Sequence, residues 1–337
     1  MKKLNLTDKQ KLYIKIGLIV LYFTVFLLLI LNGASHTSDG YRDIIEFDRT
    51  AFTIKIFGFE RDIYFYALSI ITGIGFAYLY AIRIAKKLGF SENNLFDGFI
   101  IGVVIGIVGA RIWYVIFEWD SFKNNLLEII TEFRGLAIHG AVIAAGIFAY
   151  FFCRWKKEDP LVLGEMLFPG FLIGQIFGRW GNFFNKEAHG GPIGTLAEGR
   201  AFLDKLPIPR FIVDQMYIAG NYVHPTFLYE SVWNLIGLIL IIVLRNKTKK
   251  YWYGDAIPFY LVWYGIGRFF VESIRTDALT FELFNTTFRT AQVTSILMIL
   301  GGLVFFILRR VYKYKPISYL GLIEEVEEKN KLTGDAV

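Results

Sequence analysis

Tyr264, Arg268, Glu272 and Arg275 are spaced by four, four and three residues. That spacing places all four on one face of a helix. Arg268–Glu272 and Glu272–Arg275 are then within reach as ion pairs. The stripe carries two guanidinium groups and one carboxylate. It reads either as a tie between helices or as a site whose surplus cation takes another anion, from Glu230, Glu187 or a ligand. A guanidinium fork matches phosphate oxygens in geometry. A second polar cluster, Gly178-Arg179-Trp180-Gly181-Asn182-Phe183-Phe184-Asn185-Lys186-Glu187, holds cations, two carboxamides and a carboxylate. Its composition suits an interfacial anchor, with Trp180 in an aromatic belt, as well as a binding wall.

The elements that must position these groups are membrane helices. The 337 residues are 55% hydrophobic and 18% aromatic, and several apolar runs approach the roughly 20 residues that cross a bilayer. The pattern predicts about eight spans, near 13–33, 64–82, 96–116, 136–153, 161–181, 225–244, 255–275 and 290–308. The expected fold is all-α, a polytopic transmembrane helix bundle with a small outer-face cap. It divides into an N-terminal helix (1–33), an outer-face arm (34–63), a transmembrane bundle (64–310) including the cap (182–223), and a cytoplasmic tail (311–337). The first run also fits a signal peptide, but it is long for one and its cleavage signal, Ala34-Ser35, is weak. Phe52, Ile54, Ile56 and Phe59 alternate loosely, as a short strand pair in the arm would. Gly98, Gly102, Gly106 and Ala110, and Gly170, Gly174 and Gly178, form small-residue faces for helix packing.

Lysine and arginine concentrate on alternate connections: before residue 16, at 83–87, 154–157 and 245–250, and from Arg309 onward. The positive-inside rule then puts both termini in the cytoplasm and 182–223 outside. The net charge of +6 lies beside the apolar runs, which argues against nucleic acid as a partner. The glutamate-rich tail reads as solvated surface. Cys153 is the one cysteine, so no intrachain disulfide forms, and it reads as a packing residue at the inner end of its span. No HExxH, CxxC, P-loop, dinucleotide fingerprint or G-x-S-x-G is present, so neither a metal nor a cofactor is expected.

Ionisable groups inside a bilayer face a cavity or a partner. With this orientation, Arg179 lies about 27 Å from the inner end of its span and Arg268 about 20 Å. Tyr66, Arg111, His139, and Tyr229, Glu230 and Asn234 fall at similar outer depth on four other spans. Six helices thus bring polar groups to one level, as a single chamber open to the outer side would. Arg111, beside Trp113 and Tyr114, suits snorkelling as well as a site role, and His139 suits either packing or chemistry. A transporter would predict polar groups on both sides of the midplane and inverted repeats. A structural scaffold leaves the surplus arginines without a role. A cytoplasmic-facing alcohol phosphotransferase would need an inner, Asp-rich metal motif. None of these patterns is found.

The cluster from Gly178 to Gly190 resembles the signature G-R-x-x-N-F-x-N-x-E-x-x-G of the prolipoprotein diacylglyceryl transferases, matching at Arg179, Asn182, Phe183, Asn185, Glu187 and Gly190. Five companions follow the family's order: Tyr66 early in a span, Gly109-Ala110-Arg111, Ile138-His139-Gly140, His224-Pro225-Thr226-Phe227-Leu228-Tyr229-Glu230, and Gly267 to Arg275. The resemblance covers about residues 50–310. It departs at Ala141, where the family usually has a second glycine, and at the added N-terminal helix. It implies transfer of the diacylglyceryl group of phosphatidylglycerol to the lipobox cysteine of a prolipoprotein at a bacterial plasma (inner) membrane, with the site facing the outer leaflet. The thioether forms as glycerol 1-phosphate leaves. Under that resemblance His139, Arg179 and Arg268 are the candidate catalytic residues. Tyr66, Arg111, Asn182, Asn185, Glu187, Gly190, His224, Tyr229, Glu230, Tyr264, Glu272 and Arg275 are the candidate substrate-binding residues.

Overall fold

A computed structural model describes residues 8–131, 135–283 and 286–333. In chain order its helices are α1 (Asp8–Asn32), α2 (Phe65–Leu88), α3 (Glu92–Phe117), α4 (Trp119–Phe122), α5 (Glu128–Thr131), α6 (Ile138–Lys156), α7 (Pro160–Asn185), α8 (Leu196–Asp204), α9 (Arg210–Gln215), α10 (Thr226–Lys247), α11 (Ala256–Ile274), α12 (Thr290–Val311) and α13 (Tyr319–Thr333). The strands are β1 (Ala34–Ser38), β2 (Asp43–Phe47), β3 (Thr50–Ile56), β4 (Phe59–Tyr64), β5 (Tyr217–Ile218), β6 (Asn221–Tyr222), β7 (Thr280–Leu283) and β8 (Thr286–Arg289), paired as four antiparallel hairpins. Lys2, Lys3 and the last four residues of the tail lie outside the described residues.

All eight expected spans are helices. Six of them (α2, α3, α6, α7, α10 and α12) are long and apolar enough to cross a membrane. The chain is therefore a mostly helical, polytopic membrane protein. In α1 the apolar stretch is Ile16–Asn32. In α11 the polar stripe of Arg268 and Glu272 dilutes the apolar character. The hairpins add a small β component to the expected all-α fold. The arm holds two of them rather than one, and Phe52, Ile54 and Ile56 of β3 all stay exposed.

The chain divides into two compact units: Met1–Ile74, Gly174–Leu235 and Ile266–Ile296 form the first, and Gly75–Ile173, Ile236–Gly265 and Leu297–Val337 the second. Aromatic packing builds the first. Phe65 stacks on Phe184 with ring centroids 4.5 Å apart, and Phe183 packs on Phe227 at 4.9 Å. Beside this core, Gln215 extends the β2 ladder with its side chain. Its Oε1 accepts from the Phe47 N–H at 2.9 Å, and its Nε2 donates to the Phe47 carbonyl at 3.2 Å. That amide also reaches the carbonyl of Phe183, which ties the arm to the end of α7.

Asp39 is a second tie within this unit. It accepts from the Tyr222 hydroxyl at 2.7 Å and from the Tyr41 and Arg42 amides, and it pairs with Arg200. Burial pushes its carboxyl up, but those hydrogen bonds and the Arg200 charge outweigh it and hold the group at about 2. Burial and the neighbouring Asp39 raise the Tyr222 phenol.

In the second unit α3 crosses α6 where glycines let the backbones meet. A Cβ on Gly140 would sit 2.3 Å from the Gly109 carbonyl oxygen and 2.3 Å from the Trp113 Cβ. Ala141, where the family usually has a second glycine, is half-buried on α6. At the α7 start, the fully buried Glu165 accepts from the Tyr251 hydroxyl at 2.9 Å and the Gly254 amide at 2.7 Å, with Arg245 at 4.0 Å. The tail differs from its expected solvated state. Glu324, Glu325, Glu327 and Glu328 are exposed, but Tyr319 is 1% exposed in the core of this unit. Leu320, Leu322 and Ile323 pack against that core. Cys153 is fully buried there, as a packing residue is expected to be.

Candidate functional site

Glu230, 4% exposed, sits at the centre of the polar groups of the first unit. It lies in the second turn of α10, directly after Tyr229. One carboxylate oxygen pairs with Nη2 of Arg179 on α7, and the other accepts from Nη1 of Arg268 on α11 at 3.1 Å. Nη2 of Arg268 reaches Glu272, one turn along α11, at 2.5 Å. The result is an alternating row: Arg179, Glu230, Arg268, Glu272. Glu230 supplies the further anion for the α11 stripe, so the row is formally neutral. Neutrality matters because both carboxylates are almost fully buried, and an unpaired buried charge is costly. Each arginine side chain keeps an accessible edge, with 18% exposure for Arg179 and 15% for Arg268.

The signature segment continues the row. Nη1 of Arg179 donates to the Asn182 side-chain carbonyl at 3.2 Å. The Asn182 amide donates to Glu187 at 2.9 Å and the Asn185 amide to the same oxygen at 3.3 Å. Glu187 is brought back by the sharp turn that ends α7: Lys186 and Ala188 both take left-handed backbone conformations, with φ of 52° and 55°. Such conformations cost energy for residues with a Cβ and tend to cluster at functional sites. The Asn185 side-chain oxygen is buried with no hydrogen-bond partner among the described residues.

Gly190 is a close-approach position. Its N–H donates to the His224 carbonyl at 2.9 Å, and a Cβ there would sit 2.6 Å from the His224 Cβ. His224 Nδ1 and the Tyr229 hydroxyl are 3.3 Å apart. Burial lowers the His224 pKa, favouring the neutral ring. Tyr66 lies on the same wall, its ring against Gly181: a Cβ on that glycine would meet Tyr66 Cδ2 at 2.6 Å. Twelve of the residues proposed from the sequence thus belong to one unit, and they are held by α2, α7, α10, α11 and the turns that flank them.

Arg275 is arranged differently from its sequence expectation. Its guanidinium pairs with Asp277, with contacts of 2.9 and 2.8 Å, rather than with Glu272. That bond is the leading cause of the lowered Asp277 pKa. Asp277 was not legible as a partner because it lies beyond the end of α11, where helical spacing no longer applies.

Arg111, His139 and Tyr264 belong to the second unit. Arg111 donates to the carbonyls of Glu128, Ile129 and Gly135 at 2.9, 3.0 and 3.2 Å, and its guanidinium lies 5.1 Å from the Phe122 ring centroid. It pins the connection between α3 and α6. His139 is exposed in the first turn of α6, next to the tight Gly140 crossing. Tyr264 stacks on Tyr260 at 5.4 Å. Among the described residues no cluster of three or more His, Cys, Asp or Glu side chains could hold a metal ion.

Residues 52–308 match the family model of the prolipoprotein diacylglyceryl transferases. Among curated proteins, the chain is 42% identical over 255 residues to the phosphatidylglycerol–prolipoprotein diacylglyceryl transferase of Staphylococcus xylosus. That match covers 75% of this chain and 87% of the relative. The protein of the same name from Staphylococcus haemolyticus is 40% identical over 273 residues, covering 81% and 91%.

Proposed function

The chain belongs to the prolipoprotein diacylglyceryl transferase family, and from that premise we propose how its residues move the diacylglyceryl group of phosphatidylglycerol onto a prolipoprotein. The acceptor is the lipobox cysteine. Its thiolate attacks the glyceryl carbon bonded to the phosphate oxygen. A carbon–sulfur bond forms, the carbon–oxygen bond breaks, and the electron pair leaves on the phosphate oxygen of glycerol 1-phosphate. The bond-breaking step builds negative charge on that oxygen, so it needs cations placed in advance. Arg179 and Arg268 fill that role, each with an edge left accessible beside a buried carboxylate that fixes its orientation.

Glu230 and Glu272 position the two guanidinium groups, and Glu187 positions Asn182 and Asn185. Tyr66, Asn182 and Asn185 hydrogen-bond the lipid headgroup or ester carbonyls. Gly190, His224 and Tyr229 shape the wall behind the signature turn, and Arg275 holds the turn after α11 through Asp277. His139 is the base that takes the thiol proton, assigned from its motif. Arg111 and Tyr264 act as supports, given the contacts they make.

The topology belongs to the same proposal. All eight long helices cross the membrane, α1 and α11 included. Both termini are cytoplasmic, the arm (34–63) and the cap (182–223) lie outside, and the site faces the outer leaflet. A lipid then enters sideways and the exported peptide enters from the export side.

The observation that carries the reading is the shared carboxylate of Glu230 between Arg179 and Arg268. The test uses the purified full chain with phosphatidylglycerol and a lipobox peptide. The expected product is one diacylglyceryl mass addition on the peptide cysteine, with one glycerol 1-phosphate released. A folded protein that yields neither overturns the proposal.

A further inference from the structure

Within the second unit, a groove of about 340 Å³ runs between α10, α11 and α12. That volume falls in the range of small-ligand sites, about 300–1,000 Å³. Phe259 and Val262 of α11 and Leu303 and Phe306 of α12 line its length. Gly302 lies at its floor, where a Cβ would sit 3.0 Å from the Leu261 Cβ and 3.1 Å from the Pro258 carbonyl oxygen. From Gly302 to Arg310 the groove follows nine residues of α12, about 12 Å at a rise of 1.5 Å per residue.

One end of this apolar slot is cationic. Asp255 is a single carboxylate serving two guanidinium groups, Arg309 at 2.8 Å and Arg310 at 2.5 Å. Arg310 lies over Trp252, with its guanidinium carbon 3.8 Å from the ring centroid, and keeps 26% exposure. Lys250, also on the groove wall, makes no ion pair with any described residue. The end therefore carries two formal positive charges in excess. The proposed function draws on none of these residues.

We propose that this groove is a binding site for one anionic phospholipid, with an acyl chain in the slot and the phosphate at Lys250 and Arg310. An open apolar groove on membrane helices must be filled by lipid or close up. The surplus charge at one end selects a headgroup of opposite sign, since guanidinium and ammonium groups bind phosphate oxygens through charge-assisted hydrogen bonds. The site is separate from the Arg179–Glu230–Arg268 row, whose residues all belong to the first unit.

Native mass spectrometry of the full chain tests this, with phosphatidylserine or phosphatidylcholine added to detergent-purified protein. Phosphatidylserine is used because it carries a net negative charge without the glycerol headgroup of phosphatidylglycerol, the donor named for the family. The wild-type chain should retain one phosphatidylserine at concentrations where phosphatidylcholine is lost. Leu303→Trp fills the slot from an already exposed position, so the helix keeps its packing. It should abolish retention, and Lys250→Glu should weaken it at least tenfold. Equal retention of the two lipids, or unchanged retention in both variants, overturns the proposal. So does a retained mass that is detergent alone. Because lipid retention is the readout, this result is independent of whether the chain transfers diacylglyceryl groups.

Discussion

Replacing Arg268 with lysine keeps the charge and removes the fork. The guanidinium uses two different nitrogens for two different carboxylates: Nη1 to Glu230 at 3.1 Å and Nη2 to Glu272 at 2.5 Å. A lysine ends in one nitrogen, which has three N–H donors but cannot occupy both guanidinium positions, so it keeps close contact with one carboxylate. Glu230 retains Arg179, but no other side chain pairs with Glu272 among the described residues, and it is only 2% exposed. The lysine is therefore drawn to Glu272, and Glu230 loses its grip on the α11 side of the row. One charge-assisted hydrogen bond is worth about 1.5–3 kcal/mol. Lost from the transition state, that is roughly a 10- to 150-fold drop in kcat/KM. The assay is the initial rate of transfer from phosphatidylglycerol to a lipobox peptide, run beside a thermal melt of the same preparation. Arg268→Lys with wild-type kcat/KM and a wild-type melt would refute both the fork and the leaving-group role.

Three other outcomes are expected. Cys153→Ala should keep nearly full activity, and enzyme incubated with phosphatidylglycerol alone should show no lipid adduct by mass spectrometry, because the thiol is buried in the second unit. In a Cys153→Ser background, an impermeant thiol reagent applied to intact cells should label Lys205→Cys and leave Lys249→Cys untouched; the reverse pattern would invert the orientation. Gly190→Ala should lose transfer and about 1–3 kcal/mol of stability, since the added methyl has only 2.6 Å to the His224 Cβ. A melt and a transfer rate equal to wild type would remove the close approach from the argument.

The sequence displays these features unequally, and the reason is physical. The eight long helices are legible because a membrane demands apolar runs of fixed length, and a run is a local property. The α11 stripe is legible for the same reason: helical spacing turns positions four apart into neighbours. The identity of its extra anion is not local. Glu230 lies 38 residues before Arg268, and only the packing of α10 beside α11 selects it over Glu187. Spacing also misled: it favoured Glu272 for Arg275, whereas the chain leaves the helix and offers Asp277. The ties at Asp39 and Glu165 depend on partners 183 and 86 residues away, and nothing in either local sequence announces them. The tail failed differently. Its glutamates do face water, but Tyr319 and the apolar residues between them form a stripe too short to stand out beside charges that dominate the composition.

The neutrality of the row has a consequence for the reaction. At rest, two guanidinium groups face two carboxylates, and an arriving phosphodiester adds a negative charge to a balanced set. Binding must therefore rely on the accessible edges of Arg179 and Arg268, and release of glycerol 1-phosphate is helped by the two carboxylates that remain. Glu230→Gln keeps the shape and the acceptor oxygen but leaves the row with one surplus positive charge. For charges about 6 Å apart at an effective dielectric near 20, Coulomb's law gives roughly 3 kcal/mol as an upper bound on the added attraction for phosphate. The variant should bind glycerol 1-phosphate more tightly and turn over more slowly, with KM and kcat falling together. Removing the partner of two nearly buried guanidinium groups should also cost about 3–5 kcal/mol of stability, visible in the melt. Transfer measured with added glycerol 1-phosphate separates these effects: tighter product inhibition in the variant supports a charge-balanced site. A raised KM with unchanged product inhibition would show that Glu230 serves the fold alone and that the arginines bind no phosphate.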